Sequence, residues 1–225
     1  MTELVSNVEQ LALISPNADR DVEFVYCDSA ASVDAALRIL ANAPFVYIDC
    51  EGEDLGTVDG SLSVLSIGVL TDEEYLVKVI GAPECGTDTL QGGCLRIFLV
   101  DLWVLLPEEK QPILSFLETS NAVKILWDGR MDACALYNYH TTRMRPTLDL
   151  QLIDIRSRTL RGEADDRRLR RLSRKTFPLS EVKKMQLVGV HTLSSLDRAL
   201  KEHDVTSVPL KDRKSFNTLC ALSVY

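Results

Sequence analysis

The sequence lacks the features that mark membrane and secreted proteins. No apolar run approaches the ~20 residues that a membrane-spanning helix needs. No basic segment followed by an apolar one opens the chain, so no secretory signal is visible. The six cysteines form no Cys-x-x-Cys pair and have no histidines at zinc spacing, which indicates reduced thiols. We therefore predict a cytoplasmic or nuclear protein with no membrane partner.

The signatures of two large enzyme classes are missing as well. No glycine-rich segment has the spacing of a phosphate-binding or dinucleotide-binding loop. No nucleophile elbow supports Ser-His-Asp catalysis. The three histidines, His140, His191 and His203, are scattered, and we interpret them as ordinary surface or helix residues.

Length and charge set the scale of the molecule. A chain of 225 residues with 46% hydrophobic content is expected to form one globular domain, with room for an appendage. The net charge is −8, yet the stretch from Arg156 to Lys184 carries eleven Lys or Arg against four Asp or Glu. This local excess indicates either a nucleic-acid-binding element or a solvated helix face.

The hydrophobic patterns predict an α/β domain with a mixed sheet. Strand-like runs are EFVYCD, FVYIDC, SLSVLSIGVL, EYLVKVI, LRIFLVDLWVL and VKILWD. One helix is expected from an N-cap at Ser32 to about Asn42, and another from Pro107. Further helices are expected in MDACALYNYH, in LDLQLIDIRSR with Thr147 as cap, and in TLSSLDRALKEH.

Four carboxylates follow the strand-like run FVYI within six positions, in the segment VYIDCEGED. Asp49 and Glu51 are two residues apart, so an extended strand places both on one face. Two such carboxylates share a site poorly unless one is protonated or a cation lies between them. Mg²⁺ and Mn²⁺ prefer oxygen ligands of this kind. The alternative is that the segment only begins a solvated loop.

A second acidic pair lies in KILWDGRMDACAL, where Asp128 and Asp132 follow a strand and open a helix. Acidic side chains are favourable near a helix N-terminus because of the helix dipole. Asp132 is therefore either a partner of the first pair or a plain N-terminal helix residue.

Together these segments resemble the DEDD superfamily of 3′-5′ exonucleases, and more closely the exonuclease 3′-5′ domain-containing proteins. VYIDCEGEDLG…GSLSVLSIGV resembles the first motif, and KILWDGRMDACALYNYHTTRMRPTLDLQLIDI resembles the second. The resemblance covers roughly residues 40 to 160. It implies an RNase H-like, three-layer fold with a mixed central sheet flanked by helices.

The resemblance also implies roles for individual residues. Asp49, Glu51 and Asp132 would be the catalytic metal ligands for two Mg²⁺ or Mn²⁺ ions. Asp128 would support the site or hold the neighbouring loop, and Asp149 and Gln151 would be structural residues of the following helix. Such a pair of ions stabilises the attacking and leaving oxygens of an in-line phosphodiester displacement.

Three features depart from the family pattern. Trp127 stands where a His or Phe is common, and Ser66 stands where a Gln is common. The last motif, Tyr-x-x-x-Asp or His-x-x-x-x-Asp, has no match, since His191 precedes Asp197 by six positions. We therefore expect a missing fourth carboxylate and weak hydrolysis.

The basic stretch after the second motif is expected to bind nucleic acid, RNA or single-stranded DNA, through phosphate contacts. The candidate residues are Arg167, Arg168, Arg170, Arg171 and Arg174. We divide the chain into an N-terminal extension (1–22), an exonuclease-like core (23–160) and a basic, helical C-terminal part of the same domain (161–225).

Two classes of function are left open by the sequence. One is a metal-dependent 3′-5′ exonuclease, possible because Asp49, Glu51 and Asp132 are present. The other is a non-catalytic relative that binds RNA or serves as a protein adaptor, which the missing last motif favours.

Overall fold

A computed structural model describes residues 22–71, 94–173, 178–183, 185, 187 and 189–204. Six strands lie in these residues: β1 (Val22–Cys27), β2 (Phe45–Glu51), β3 (Val64–Thr71), β4 (Cys94–Asp101), β5 (Val123–Leu126) and β6 (Thr147–Asp149). The described helices are α1 (Ala30–Leu40), α2 (Pro107–Thr119), α3 (Arg130–His140), α4 (Leu150–Leu160), α5 (Asp165–Ser173), α6 (Leu179–Val182) and α7 (Leu196–Glu202).

The six strands form one mixed sheet in the order β1-β4-β3-β2-β5-β6. Strand β3 is antiparallel to both of its neighbours, whereas β1 with β4, β2 with β5 and β5 with β6 are parallel. The carboxyl ends of β1, β4, β2, β5 and β6 therefore share one edge of the sheet, the edge where ligands bind in many α/β proteins. The predicted α/β fold with a mixed sheet is confirmed.

The hydrophobic core lies on one face of this sheet. Cys27, Val100, Leu65 and Cys50 are register partners across four strands, and each is at most 4% exposed. Helices α1 and α2 join the same cluster through Val33, Ala36, Ile39, Leu40, Ile113, Leu114, Phe116 and Leu117. The alternation of a strand sends the neighbouring residues, including Tyr26 and Asp49, to the opposite face.

Helix starts differ from the predictions by a few residues. Helix α1 is capped by Ser29, not Ser32, which instead bonds back to the Ser29 backbone N–H at 3.1 Å. Helix α4 is capped by Asp149, not Thr147, because Thr147 begins the short strand β6 that the sequence analysis missed. In both cases a second capping-type residue lies within three positions of the true cap, so the pattern alone does not choose between them.

Two other predictions have different outcomes. The strand-like run LRIFLVDLWVL ends as a strand at Asp101, because the Asp101 carboxylate accepts the N–H groups of Trp103 and Val104 and turns the chain. The run EYLVKVI lies outside the described residues. Helices α5 and α6 were not predicted.

The chain divides into two compact units. The described residues up to Ser194 belong to one unit, and α7 belongs to the other. Among the described helices, none is long and apolar enough to cross a membrane.

A buried lysine lies at the edge of the core. Lys124 on β5 is fully buried, and its ammonium donates to the Ser120 carbonyl, the Ser120 hydroxyl and the Arg145 carbonyl at 2.5–3.0 Å. Burial lowers its pKa to about 8. The three acceptors match the three protons of the ammonium. Lys124 thus ties the loop after α2 to the chain that enters β6.

We expect Lys124→Met to destabilise the protein by about 1–3 kcal/mol, because the oxygens of Ser120 and Arg145 lose their donor inside the fold. Urea unfolding measures the change. Lys201→Met, at a lysine whose side chain is 70% exposed, serves as the control and should be nearly neutral. Equal stability of the two variants would contradict the linking role of Lys124.

Candidate active site

The carboxylates of the first motif lie at the carboxyl end of β2. Ile48 and Cys50 are buried in the core, whereas Asp49 and Glu51 alternate with them and are exposed on the other face. The side chains of Asp49 and Glu51 therefore share one side of the strand, as the sequence analysis predicted.

Asp132 reaches the same place from the start of α3. It lies in the first turn of that helix, which follows β5, and it is only 8% exposed. Its Oδ1 accepts the backbone N–H of Cys50 at 2.9 Å. Strand β5 pairs with β2 only as far as Tyr47, so the Cys50 N–H is donated to a side chain instead of a strand. The Asp132 carboxylate thus binds the peptide between Asp49 and Glu51.

The pKa values of all three carboxyls are raised, chiefly by desolvation, and for Glu51 and Asp132 also by neighbouring negative charge. Although the side chains of Asp49 and Glu51 are partly exposed, the surrounding protein atoms partly desolvate both carboxyls. This desolvation raises the pKa of Asp49, and desolvation together with the charges of Asp49 and Asp132 raises the pKa of Glu51. The pKa of Asp132 is raised by burial and by Asp49. Within the described part of the chain, no Lys, Arg or His forms an ion pair with any of the three. Their repulsion is therefore not relieved by a neighbouring side chain.

The donor set suits a hard divalent cation, since three carboxylates offer only oxygen ligands. In the described residues, however, no three His, Cys, Asp or Glu side chains are arranged as a formed metal centre. One oxygen of Asp132 is already committed to Cys50. The assignment of Asp49, Glu51 and Asp132 as metal ligands therefore stays a prediction.

Asp128 is separate from this group. It has a positive φ of 57° in the turn between β5 and α3, and its Oδ1 accepts the Arg130 Nε–H at 2.6 Å. This hydrogen bond, together with the Arg130 charge, lowers the Asp128 pKa. Because a guanidinium already neutralises it, Asp128 is poorly suited to replace a missing metal ligand.

Asp149 holds the turn that carries Asp128. Its carboxylate accepts three backbone N–H groups, from Asp128 and Gly129 at 3.2 Å and from Gln151 at 2.8 Å. It therefore caps α4 and fixes the entry to α3 at once. The Gln151 amide is buried and donates to the Ser194 carbonyl at 2.9 Å. The contacts of Asp149 and Gln151 are structural ones.

The loop after Glu51 is held tightly, a feature that the sequence analysis did not single out. A Cβ atom on Gly52 would lie 2.0 Å from the Ser61 carbonyl oxygen, and one on Gly60 would lie 2.2 Å from that of Asp54. Helix α3 donates to the far side of the loop, through Asn138 to the Gly56 carbonyl at 3.1 Å. The two glycines, eight positions apart, were the available signal for this closed loop.

The arginines of the basic stretch divide into two groups. Arg168 is buried and donates to the carbonyls of Leu187 and Val190 at 2.6 and 2.9 Å. Arg171 is buried in an ion pair with Glu163 at 2.6 Å. Arg167 and Arg170 are exposed on the other side of α5, and Arg174 lies outside the described residues. Because the contacts of Arg168 and Arg171 are internal, the prediction of phosphate contacts is narrowed to Arg167 and Arg170 among the described arginines.

The fold is similar to several solved nuclease structures. RNase D of Trypanosoma brucei in complex with RNA U12 is 20% identical over 60% of this chain and 40% of that chain, with a TM-score of 0.42. RNase D of Escherichia coli, an exoribonuclease, is 15% identical over 80% of this chain and 40% of that chain (TM-score 0.43). The EXD2 exonuclease domain is 19% identical over 82% of this chain and 84% of that domain (TM-score 0.41).

These likenesses concern the fold alone. The chain spans about 40% of the length of the RNase D structures. No protein-family model and no curated protein matches the sequence.

We expect Asp49→Asn and Glu51→Gln each to raise the melting temperature of the metal-free protein at neutral pH. A carboxyl whose pKa is raised on folding binds its proton more tightly in the folded state, so its charged form opposes folding above that pKa. The gain should vanish as the pH falls and the wild-type carboxyls become protonated. Differential scanning calorimetry measures both effects.

Asp128→Asn is the matched control for this prediction, because the pKa of Asp128 is lowered and its charge stabilises the fold. It should lower the melting temperature or leave it unchanged. A lower melting temperature for the Asp49 and Glu51 variants would mean that these carboxylates stabilise the fold.

Proposed function

We propose that this chain is a 3′-5′ exonuclease-like domain that binds the end of an RNA or a single-stranded DNA and hydrolyses phosphodiester bonds slowly with divalent metal ions. The observation that supports this most directly is the hydrogen bond from the Cys50 N–H to Asp132. It joins the two sequence motifs at one point in space, although they lie 82 residues apart in the chain.

Asp49, Glu51 and Asp132 would hold two Mg²⁺ or Mn²⁺ ions. When bound, such ions stabilise the attacking and leaving oxygens of the phosphodiester. The contribution of the chain is to keep three carboxylates together against their repulsion. Asp132 is fixed by Cys50, and Glu51 is followed by the closed loop that begins at Gly52.

The slow rate follows from the ligands that are missing. Neither form of the last family motif occurs in this sequence, and Asp128 is paired with Arg130. The second ion would therefore bind weakly, and no Tyr or His of the family pattern is available to position a water molecule. Each 1.36 kcal/mol of lost transition-state stabilisation slows hydrolysis about tenfold.

A non-catalytic RNA-binding or adaptor role is the second candidate. It is favoured by the absence of a formed metal centre among the described residues and by the structural hydrogen bond that Asp132 already makes. Under this alternative the carboxylates would bind no cation.

Metal binding and end trimming distinguish the two candidates. We expect Mn²⁺ to raise the melting temperature of the wild type, because a ligand of the native state stabilises it. Asp49→Asn should abolish that rise, whereas Asp128→Asn should keep it.

A strand labelled at its 5′ end should be shortened slowly from the 3′ end at high Mn²⁺ by the wild type and not by Asp49→Asn.

The outcomes separate clearly. A melting temperature that does not respond to Mn²⁺, together with intact strands, would support the non-catalytic candidate. An equal rise in Asp49→Asn would place the ion elsewhere in the protein. Rapid trimming in Mg²⁺ would show that the missing ligands are supplied by a residue outside this set.

The basic helix gives a separate prediction for binding. Replacing Arg167 and Arg170 by Ser should flatten the dependence of log affinity on log salt by about 1.4, since each phosphate contact contributes about 0.7 for a single strand. Fluorescence anisotropy of a labelled strand measures the slope. Arg38→Ser, at an exposed arginine on α1, is the control. An unchanged slope would make Arg167 and Arg170 part of a solvated face.

A further inference from the structure

Two aromatic rings are exposed on the edge strand of the sheet. Phe24 is 65% exposed and Tyr26 is 53% exposed, and because they alternate with Val25 they lie on one face of β1. Rings of this size usually bury much of their area. Two of them side by side on an open face form a surface that can receive a flat partner.

The strand register places this surface on the same side of the sheet as the candidate active site. Tyr26 pairs with Leu99, Leu99 with Ser66, and Ser66 with Asp49, so the four residues form one row across the sheet. Three strand spacings of about 4.8 Å separate its ends by roughly 14 Å. A strand of a few nucleotides can cover that distance.

The middle of this row is partly accessible to solvent. Leu99 and Ser66 are only half-buried, in contrast to the fully buried residues of the opposite face. The neighbouring row runs from Phe24 through Ile97 and Gly68 to Tyr47. Gly68 has no side chain, so nothing projects from the sheet at that position of the row. The surface between the rings and Asp49 is therefore partly accessible and carries no charged side chain in this row.

One of the rings is held in place by its own hydroxyl group. The Tyr26 hydroxyl donates to the Asp101 carboxylate, which also accepts the N–H groups of Trp103 and Val104 at 2.9 and 3.0 Å. The ring is thus fixed to the end of β4. A fixed ring loses little conformational entropy when a partner binds, which favours stacking.

We propose that Phe24 and Tyr26 form a base-stacking surface for the unpaired nucleotides of a single strand whose 3′ end lies at Asp49, Glu51 and Asp132. This inference rests on the proposed function. It identifies the bases as the part of the substrate that this surface recognises. Aromatic rings on an open sheet stack with bases in sheet-based RNA-binding modules, and the interaction tolerates any base sequence.

The local charge favours the bases over the phosphates as the bound groups. Asp101 and Asp28 lie at the carboxyl ends of β4 and β1, Asp49 ends the row, and Glu51 lies two residues further along β2. This edge repels a phosphate backbone, so affinity here must come from contacts that carry no charge. Stacking should therefore depend little on salt, unlike binding at Arg167 and Arg170.

The test compares a short oligothymidylate with an abasic strand of the same length, in EDTA so that no hydrolysis can occur. Phe24→Ala and Tyr26→Ala should each weaken binding of the oligothymidylate about tenfold and leave the abasic strand unchanged. Tyr26→Phe keeps the ring but loses the hydrogen bond to Asp101, so it should bind more tightly than Tyr26→Ala and somewhat more weakly than the wild type. Val58→Ala, at a residue that is 84% exposed, is the control.

Two results would overturn the inference. One is equal binding of both strands by the wild type, with the alanine variants unchanged. The other is self-association of the wild type in sedimentation that Phe24→Ala abolishes without changing oligothymidylate binding, which would make the rings a contact between copies.

The stacking hypothesis and the proposed function can be contradicted independently of each other. Trimming of base-containing and abasic 3′ ends at equal rates would leave hydrolysis standing and remove stacking. Ring-dependent binding without any Mn²⁺ response would remove hydrolysis and leave the stacking surface in place.

Discussion

The arrangement of the candidate site depends on one hydrogen bond, from the backbone N–H of Cys50 to the Asp132 carboxylate. It joins the free end of β2 to the first turn of α3. Because the Cys50 N–H lies between the side chains of Asp49 and Glu51 along β2, the bond brings Asp132 to the strand end that carries both residues. Without it, Asp132 would be an ordinary acidic residue at a helix N-terminus, where the dipole alone accounts for its presence.

This hydrogen bond holds together groups that repel each other. The raised pKa values of Asp49, Glu51 and Asp132 express that repulsion and the burial around them. The surrounding structure resists it through side chains that hydrogen-bond to the backbone. The glycine-dependent loop after Glu51 is bonded to α3, and Asp149 fixes the turn that leads into the same helix.

The sequence predicts the local part of this arrangement and not the long-range part. Alternation in FVYIDCE places Asp49 and Glu51 on one face, since the strand period is a local property. The charge run of α5 is misleading, because Arg168 and Arg171 lie three positions apart and turn inward to carbonyls and to Glu163. A helix face of long basic side chains can be internal when the chain supplies enough acceptors. Strand order is not a local property either. The row from Tyr26 to Asp49 therefore could not be predicted from the sequence, because it depends on which strands are neighbours in the sheet.

The distribution of charge links metal and strand binding in the proposed function. The edge that carries Asp49 and Glu51 is acidic, and Arg168 and Arg171 are used inside the fold. Electrostatic attraction alone would therefore not bring a 3′ end to the carboxylates. Under the proposed function, a cation held by the carboxylates would remove the repulsion that the terminal phosphate meets, and a bound phosphate would supply further oxygen ligands to the cation. Metal and strand would each increase the affinity for the other, and thermodynamic linkage requires the two effects to be equal.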